Sequence, residues 1–207
     1  VCDTNLPHEF KGVRGARVLR LADGSYRMYY HAIDSNSVWR ILSASSTNGL
    51  AWTRDAGVRI DPTDYCPEST SVRNFAPVIP FAGGDVHLFI TMSRCDAGWT
   101  DLKSGIYDAV SSNGLDFAVA DEPIVENYYV EASYTGQATD PQAMPQDPTV
   151  IATTNGVRLY FGVYDGPNVL VNTSGIYSAI CPDWDGDRMT DAAEYTAPTD
   201  PNDPETL

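Results

Sequence analysis

The chain has 207 residues, with 28 acidic and 13 basic side chains, which give a formal net charge of −15 at pH 7. This excess of negative charge repels polyanions at long range and so excludes nucleic acid and anionic membrane surfaces as partners. The hydrophobic fraction of 43% is that of a folded globular protein, and no apolar run approaches the ~20 residues of a membrane span.

The first predicted unit in chain order is a β-hairpin over residues 15–30, with its turn at Asp23-Gly24. A third strand follows at 39–45, and an Asn48-Gly49 turn leads to a fourth strand near Trp52. The chain starts at Val1 without a signal peptide, which predicts a processed mature segment.

The same pattern recurs over residues 75–90 with a third strand at 106–111, and again over 147–161 with a third strand at 176–181. The second copy has its own turn before a fourth strand, and the third copy lacks a fourth strand. Repeated four-stranded antiparallel sheets are the blades of β-propellers. The sequence therefore predicts an all-β fold, a β-propeller-like array of about three four-stranded antiparallel blades over residues 1–182. Residues 1–12 are the candidate for the missing strand, beside Cys181.

Residues 12–181 resemble the β-propeller glycosidase superfamily, meaning the five-bladed arabinanase- and xylosidase-type enzymes and their sialidase-like relatives. The resemblance rests on the repeated strand-turn-strand pattern, on segments 46–52 and 111–117, and on Asp147-Pro148 before a first strand. It implies a glycoside hydrolase, which needs two carboxyl groups across the scissile bond. In the arabinanase-like enzymes the base is an Asp in an Arg-Asp-Pro segment of the first blade. Arg14-Gly15-Ala16 stands at that place, so this base is absent.

The remaining catalytic candidates are Asp147, which keeps the Asp-Pro pattern, and the loop residues Glu131 and Glu68. The alternative for each of them, which residue type and position by themselves favour, is a solvated loop carboxylate. His31 and His87 lie on predicted strands and are expected to be packed. Flat rings with polar edges are suitable platforms for an extracellular glycan. Such aromatic residues in or beside the predicted loops are Tyr65, Trp99, Tyr128, Tyr129, Tyr134 and Tyr164.

Residues 183–207 form a second predicted domain, an acidic calcium-binding repeat that resembles bacterial thrombospondin-type-3-like repeats. Its loop has acidic side chains at positions 1, 3, 5, 9 and 12, the spacing that surrounds Ca²⁺ with oxygen ligands. Position 6 carries Arg188 where Gly is usual, and the alternative is a solvated acidic tail. The predicted calcium ligands are Asp183, Asp185, Asp187, the Met189 carbonyl, Asp191 and Glu194.

The four cysteines form no CxxC pair, which argues against a zinc site and favours two disulfides in an oxidising, extracellular compartment. Three connectivities exist. We expect Cys2–Cys181, which would join the ends of a closed fold, and Cys66–Cys95, which would join two loops flanking one sheet. The alternative is four buried free thiols.

Two functions remain open at this point. The first is a secreted, calcium-stabilised propeller that binds or hydrolyses an extracellular glycan. The second is a non-catalytic assembly module that forms calcium-dependent oligomers or filaments. Three blades leave sheet faces and strand edges uncovered, so the sequence also predicts self-association or additional blades.

Overall fold

The computed structural model describes residues 6–67, 69, 72, 74–79, 84–95, 102–126, 144–153, 156–164 and 175–181. These residues form twelve β-strands and one 3-10 helix, Pro62–Asp64. The strands are β1 (Gly12–Arg20), β2 (Tyr26–Ile33), β3 (Trp39–Ser46), β4 (Thr53–Arg54), β5 (Phe75–Val78), β6 (Val86–Cys95), β7 (Leu102–Ser111), β8 (Ala118–Val119), β9 (Val125–Glu126), β10 (Met144–Thr153), β11 (Gly156–Tyr164) and β12 (Gly175–Cys181).

The strands form three antiparallel sheets, each in chain order. Blade 1 is β1-β2-β3-β4, blade 2 is β5-β6-β7-β8 with β9 also paired to β7, and blade 3 is β10-β11-β12. The predicted all-β propeller-like array is therefore confirmed. The expectation of a four-stranded blade holds for the first sheet. The second sheet has β9 as a fifth strand, and the third has three strands among the described residues.

Blades 1 and 2 each pack with one face on the next blade in the chain. We call the two sides the following face, turned toward the next blade, and the preceding face. In blade 1 the alternation of β2 places Tyr29 and His31 on the following face and Met28 and Tyr30 on the preceding face. The Tyr29 ring meets Phe117 of blade 2 edge-on, with 5.8 Å between ring centroids.

The main core lies between blades 1 and 2. Tyr29 and Ile41 of blade 1 are fully buried there against Leu88, Ile90 and Tyr107 of blade 2. Strand β10 of blade 3 lies against β5, β6 and β7 of blade 2. Its neighbour β11 buries one set of alternate side chains: Val157, Leu159 and Phe161. The three blades are therefore stacked in chain order around their first strands.

Residues 6–11 form turns rather than a strand, which differs from the expectation that the N-terminal segment pairs beside Cys181. The turns place Glu9 on blade 1, where the Tyr30 hydroxyl donates to its Oε1 at 2.9 Å. The Arg54 guanidinium donates to both Glu9 carboxylate oxygens at 2.8 Å. Only 1% of Glu9 is exposed, so its charge-assisted hydrogen bonds hold this segment against blade 1. Residues 1–5 lie outside the described part.

The predicted Cys66–Cys95 disulfide is confirmed, with Cα atoms 5.0 Å apart. It joins the segment after the 3-10 helix to the last residue of β6. The same connection is supported by the Cys95 amide, which donates to the Tyr65 carbonyl at 3.1 Å. Cys2 lies outside the described residues, so the Cys2–Cys181 pair stays a prediction. No helix in the described ranges has the length and apolar character required to cross a membrane.

Candidate functional site

The first strands of the three blades begin at one end of the array. The His31 ring, whose residue pairs with Arg14 of β1, lies 4.9 Å from the Phe75 ring at the start of β5. Beside Phe75, the Asn74 carbonyl accepts from the Thr91 amide, and the Thr91 hydroxyl donates to the Pro145 carbonyl in β10. These contacts connect the starts of β1, β5 and β10, and we call this end of the array the entry edge.

Strands β1 and β10 carry the same irregularity at the entry edge. The pairing of β1 with β2 shifts between Arg14 and Arg17, and the pairing of β10 with β11 shifts between Gln146 and Thr149. Each shift is a β-bulge, in which two residues lie opposite one. The bulged pair is Gly15-Ala16 in blade 1 and Asp147-Pro148 in blade 3, so Asp147 occupies in blade 3 the position of Gly15 in blade 1.

The backbone at this position adopts a conformation that L-residues seldom take. Gly15 has a φ of 60° and Asp147 a φ of 53°. Glycine adopts this left-handed conformation without steric cost, whereas Asp carries a penalty of about 1 kcal/mol. Strained residues concentrate at functional sites. Asp147 is exposed, and its strained geometry makes it the leading catalytic candidate at the entry edge.

A second feature of the entry edge is an aromatic and cationic surface. The Arg14 guanidinium lies 4.9 Å from the centroid of the Trp39 ring, a cation–π arrangement. Sequence reasoning assigned Trp39 only to a strand. The available signal was its place as the first residue of β3, directly after the turn of residues 34–38.

The two strand histidines are buried, as expected. His31 packs between Trp39 and Phe75, and burial lowers its pKa to about 4, with the charge of Arg17 contributing. The ring is therefore neutral at pH 7. His87 is buried with its Nδ1 3.0 Å from an Asp108 carboxylate oxygen. Neither ring lies on the exposed surface of the entry edge.

The other predicted site residues fall into two groups. Glu68, Glu131 and the six calcium-loop residues lie outside the described residues. So do four of the loop aromatics: Trp99, Tyr128, Tyr129 and Tyr134. Tyr65 is described and carries the Arg94 guanidinium 5.2 Å from its ring centroid. Arg94 also donates to the Val119 and Ala120 carbonyls, so its role is to support blade 2.

Among the described residues, no group of three or more His, Cys, Asp or Glu side chains has the arrangement that would hold a metal ion. The predicted calcium loop at residues 183–194 lies outside the described residues, so its ligands stay a prediction.

No protein-family model matches the sequence, and no curated protein matches it. Among solved structures, a thermostable family-43 glycoside hydrolase aligns with a TM-score of 0.55 at 16% identity, over 82% of this chain and 51% of that one. The chain therefore has a β-propeller-like fold, and the solved structure that shares it is a glycoside hydrolase.

Two further structures have the same fold. A putative glycoside hydrolase from Parabacteroides distasonis aligns with a TM-score of 0.55 at 17% identity, over 86% of this chain and 52% of that one. A Bombyx mori GH32 beta-fructofuranosidase aligns with a TM-score of 0.53 at 15% identity, over 77% of this chain and 30% of that one. The chain thus spans about half or less of the length of these solved structures.

Proposed function

We propose that the chain is a secreted, calcium-stabilised β-propeller domain of glycosidase descent that binds an extracellular glycan at the entry edge. The observation that carries the proposal is Asp147, an exposed carboxylate held in a strained conformation at a β-bulge. The Arg14–Trp39 pair offers a flat ring and a cation on the same edge, both of which bind sugar hydroxyls and rings.

Hydrolysis requires a second carboxyl group across the bond from Asp147. We propose Glu131 or Glu68 for that role, because both stand in loop segments of the sequence. A separation of about 5–5.5 Å between the two groups would give retention of configuration, and about 6.5–9.5 Å would give inversion. Gly15 stands in blade 1 where the arabinanase-like enzymes carry their acidic base. Hydrolysis by this chain therefore depends on Asp147 and one of these two glutamates.

Asp147→Asn tests the assignment without disturbing the backbone, because Asn tolerates the left-handed conformation. We expect glycan binding to be kept, while hydrolysis of the bound glycoside falls by about 10²–10⁴-fold, the usual contribution of a general acid or base. A glycan array followed by rate measurements on the best ligand gives both readouts. Asp85→Asn is the matched control, since it removes one exposed carboxylate before β6. The absence of any glycan ligand for the intact chain would contradict the proposal.

Calcium is proposed as a structural ion held by residues 183–194, supported by the ligand spacing of that loop. If Ca²⁺ binds only the folded state, then at a hundred times its dissociation constant it stabilises the fold by about 2.7 kcal/mol. We expect chelator to lower the melting temperature and added Ca²⁺ to restore it. Asp185→Ala should remove this response, whereas Asp200→Ala, outside the loop, should keep it. A melting curve that is insensitive to chelator would show that the loop is no calcium site.

The extracellular assignment is likewise a proposal, and the Cys66–Cys95 bridge supports it, because disulfides persist in oxidising compartments. The alternative function, assembly with other copies, has separate support in the open faces of the array, which the next subsection describes.

A further inference from the structure

The array of blades ends in two sheet faces on which none of the three blades packs. Both faces are partly buried, as Leu42 on blade 1 and Ser178 on blade 3 show, and both keep exposed aliphatic side chains. On the preceding face of blade 1, Val18 is 51% exposed, and Leu50 in the adjoining turn is 87% exposed. On the following face of blade 3, Ile151 is 53% and Ile176 is 77% exposed. Large aliphatic side chains exposed on opposite ends of a protein mark surfaces for association.

The contact between blades 1 and 2 shows how two such faces fit together. Arg27 of blade 1 donates from Nη1 to the Asn113 carbonyl at 2.6 Å, and the Tyr29 hydroxyl donates to the Gly114 carbonyl at 2.8 Å. Leu19 and Ile41 pack beside them in the apolar core. The following face of blade 1 thus joins the Asn-Gly turn of blade 2 through two donors flanked by two aliphatic side chains.

Blade 3 has the same chemistry at the same four register positions. The equivalence follows from the strand pairing. In blade 1, Leu19 lies opposite Arg27, and Arg17 lies opposite Tyr29. In blade 3, Ile151 lies opposite Arg158, and Thr149 lies opposite Tyr160. Likewise, Ile41 lies opposite His31 and Ile176 opposite Gly162. The matching pairs are Leu19 and Ile151, Arg27 and Arg158, Tyr29 and Tyr160, and Ile41 and Ile176.

The exposure of these matching residues differs sharply. Ile41 is fully buried by blade 2, whereas its equivalent Ile176 is 77% exposed. Arg158 and Tyr160 are partly exposed, and the Arg158 guanidinium lies 6.0 Å from the centroid of the Tyr160 ring. Blade 3 therefore presents, at the end of the array, the same set of donors and aliphatic groups that blade 1 uses to hold blade 2.

The other half of the contact is present on blade 1. In blade 2, the Asn113 side chain accepts from the amides of residues 115 and 116, and Gly114 has a φ of 68°. In blade 1, the Asn48 side chain accepts from the amides of residues 50 and 51, and Gly49 has a φ of 73°. The two turns share one conformation, so residues 48 and 49 present carbonyls as residues 113 and 114 do. The Gly49 carbonyl also accepts from Trp52 Nε1 at 3.2 Å, and its second lone pair is the acceptor for an incoming donor.

A cavity beside the blade 1 turn provides space for an incoming ring. It has a volume of about 290 Å³, and Met28, Ala44 and Trp52 are among its lining residues. Trp52 follows its Asn-Gly turn at the same distance as Phe117 follows the turn of blade 2. Since Phe117 is the residue that Tyr29 meets edge-on, Trp52 is placed to meet an equivalent tyrosine.

We propose that the following face of blade 3 in one copy of this chain docks on the preceding face of blade 1 in a second copy. In this contact Tyr160 donates to the Gly49 carbonyl, and Arg158 donates to the Asn48 carbonyl. Ile151 and Ile176 cover the apolar surface around Trp52. The two faces differ, so the contact is heterologous and generates closed rings or open filaments. A second copy of this chain is the partner, because one chain carries both surfaces of the contact: the following face of blade 3 and the preceding face of blade 1.

Sedimentation equilibrium of the intact chain, over a range of concentrations and at several salt concentrations, measures the association. We expect a mass that rises with concentration, and more strongly at high salt, because salt screens the repulsion between chains of net charge −15. Ile176→Asp and Leu50→Asp each place a charge in one of the two faces. Both residues are exposed, so the folded chain should tolerate the change, while the dissociation constant should rise by about 100-fold. Ala118→Asp, on the exposed β8 of blade 2, is the matched control and should associate like the unaltered chain.

Mixing the two variants tests the head-to-tail geometry. The Ile176→Asp chain keeps its preceding face, and the Leu50→Asp chain keeps its following face. An equimolar mixture should therefore form a 1:1 dimer, although neither variant associates alone. A contact between identical faces would give no dimer on mixing and would overturn the proposal. An unaltered chain that stays monomeric up to about 1 mM, the weak end of specific affinity, would also overturn it; the open faces would then belong to further blades of the same gene product or of another polypeptide.

Discussion

Replacing Tyr29 by Ala should destabilise the protein by about 3–5 kcal/mol, the cost of removing a large ring from a packed core. Tyr29 is fully buried between blades 1 and 2, where its ring contacts Phe117 and its hydroxyl donates to the Gly114 carbonyl. Burial raises the pKa of this hydroxyl to about 12, so it stays protonated and remains a donor throughout the neutral range. Urea denaturation followed by circular dichroism measures the free energy of unfolding.

Tyr29→Phe separates the hydroxyl from the ring and keeps the measurement possible if the Ala variant fails to fold. We expect a loss of about 1 kcal/mol, because one hydrogen bond is removed and the core stays filled. Tyr26→Phe is the control, since Tyr26 is on the opposite face of β2 and only half-buried. Equal stability of Tyr29→Phe and the unaltered protein would show that the bond to the Gly114 carbonyl does not hold the blades together.

Opening the Cys66–Cys95 disulfide should destabilise the protein by about 3.6 kcal/mol. The two cysteines are 29 residues apart, and the estimate is the loop-closure entropy that the bridge removes from the unfolded chain. The bridge ties the connection between blades 1 and 2, which includes a short 3-10 helix, to the last residue of β6. Replacing both cysteines by Ala and measuring urea denaturation gives the change in the free energy of unfolding.

The unaltered protein in the presence of reductant is the internal comparison for the disulfide. Its denaturation midpoint should shift toward that of the double-Ala variant. Reductant should shift the midpoint of the variant less than the midpoint of the unaltered protein. The urea dependence should also be steeper in the variant, because an unbridged unfolded chain exposes more surface. A loss below about 1 kcal/mol would show that the unfolded chain retains structure in this segment, against the entropic explanation.

These two predictions address the same feature of the molecule, the join between consecutive blades. A blade is a thin sheet that cannot cover both of its own faces, and its stability comes from its neighbours. The join between blades 1 and 2 combines a buried ring, an arginine and a covalent bridge. The same reasoning explains why the free following face of blade 3 retains an arginine and a tyrosine at the positions that serve blade 1.

Local patterns in the sequence predicted the strands well. The hairpins and the third strands were located by alternating apolar residues and by three turns: Asp23-Gly24, Asn48-Gly49 and Asn113-Gly114. These signals are reliable because strand alternation and turn formation depend on near neighbours. The threefold recurrence predicted the stacked blades. The expectation that Cys66 and Cys95 lie in loops flanking one sheet predicted the disulfide between them. The predicted start of β10 was three residues late, because the strand continues through the bulge at Asp147 to Met144.

What the sequence determined by itself was therefore the order and type of the strands other than β9, and the propeller-like class of the fold. The tertiary structure decided the rest: that Gly15 and Asp147 are equivalent, that Trp39 and Arg14 meet at the entry edge, and that Ile176 is the exposed counterpart of the buried Ile41. The physical reason is distance along the chain. A bulge shifts all later side chains relative to the partner strand, and the burial of a sheet face depends on contacts with residues far away in sequence, which no local period records.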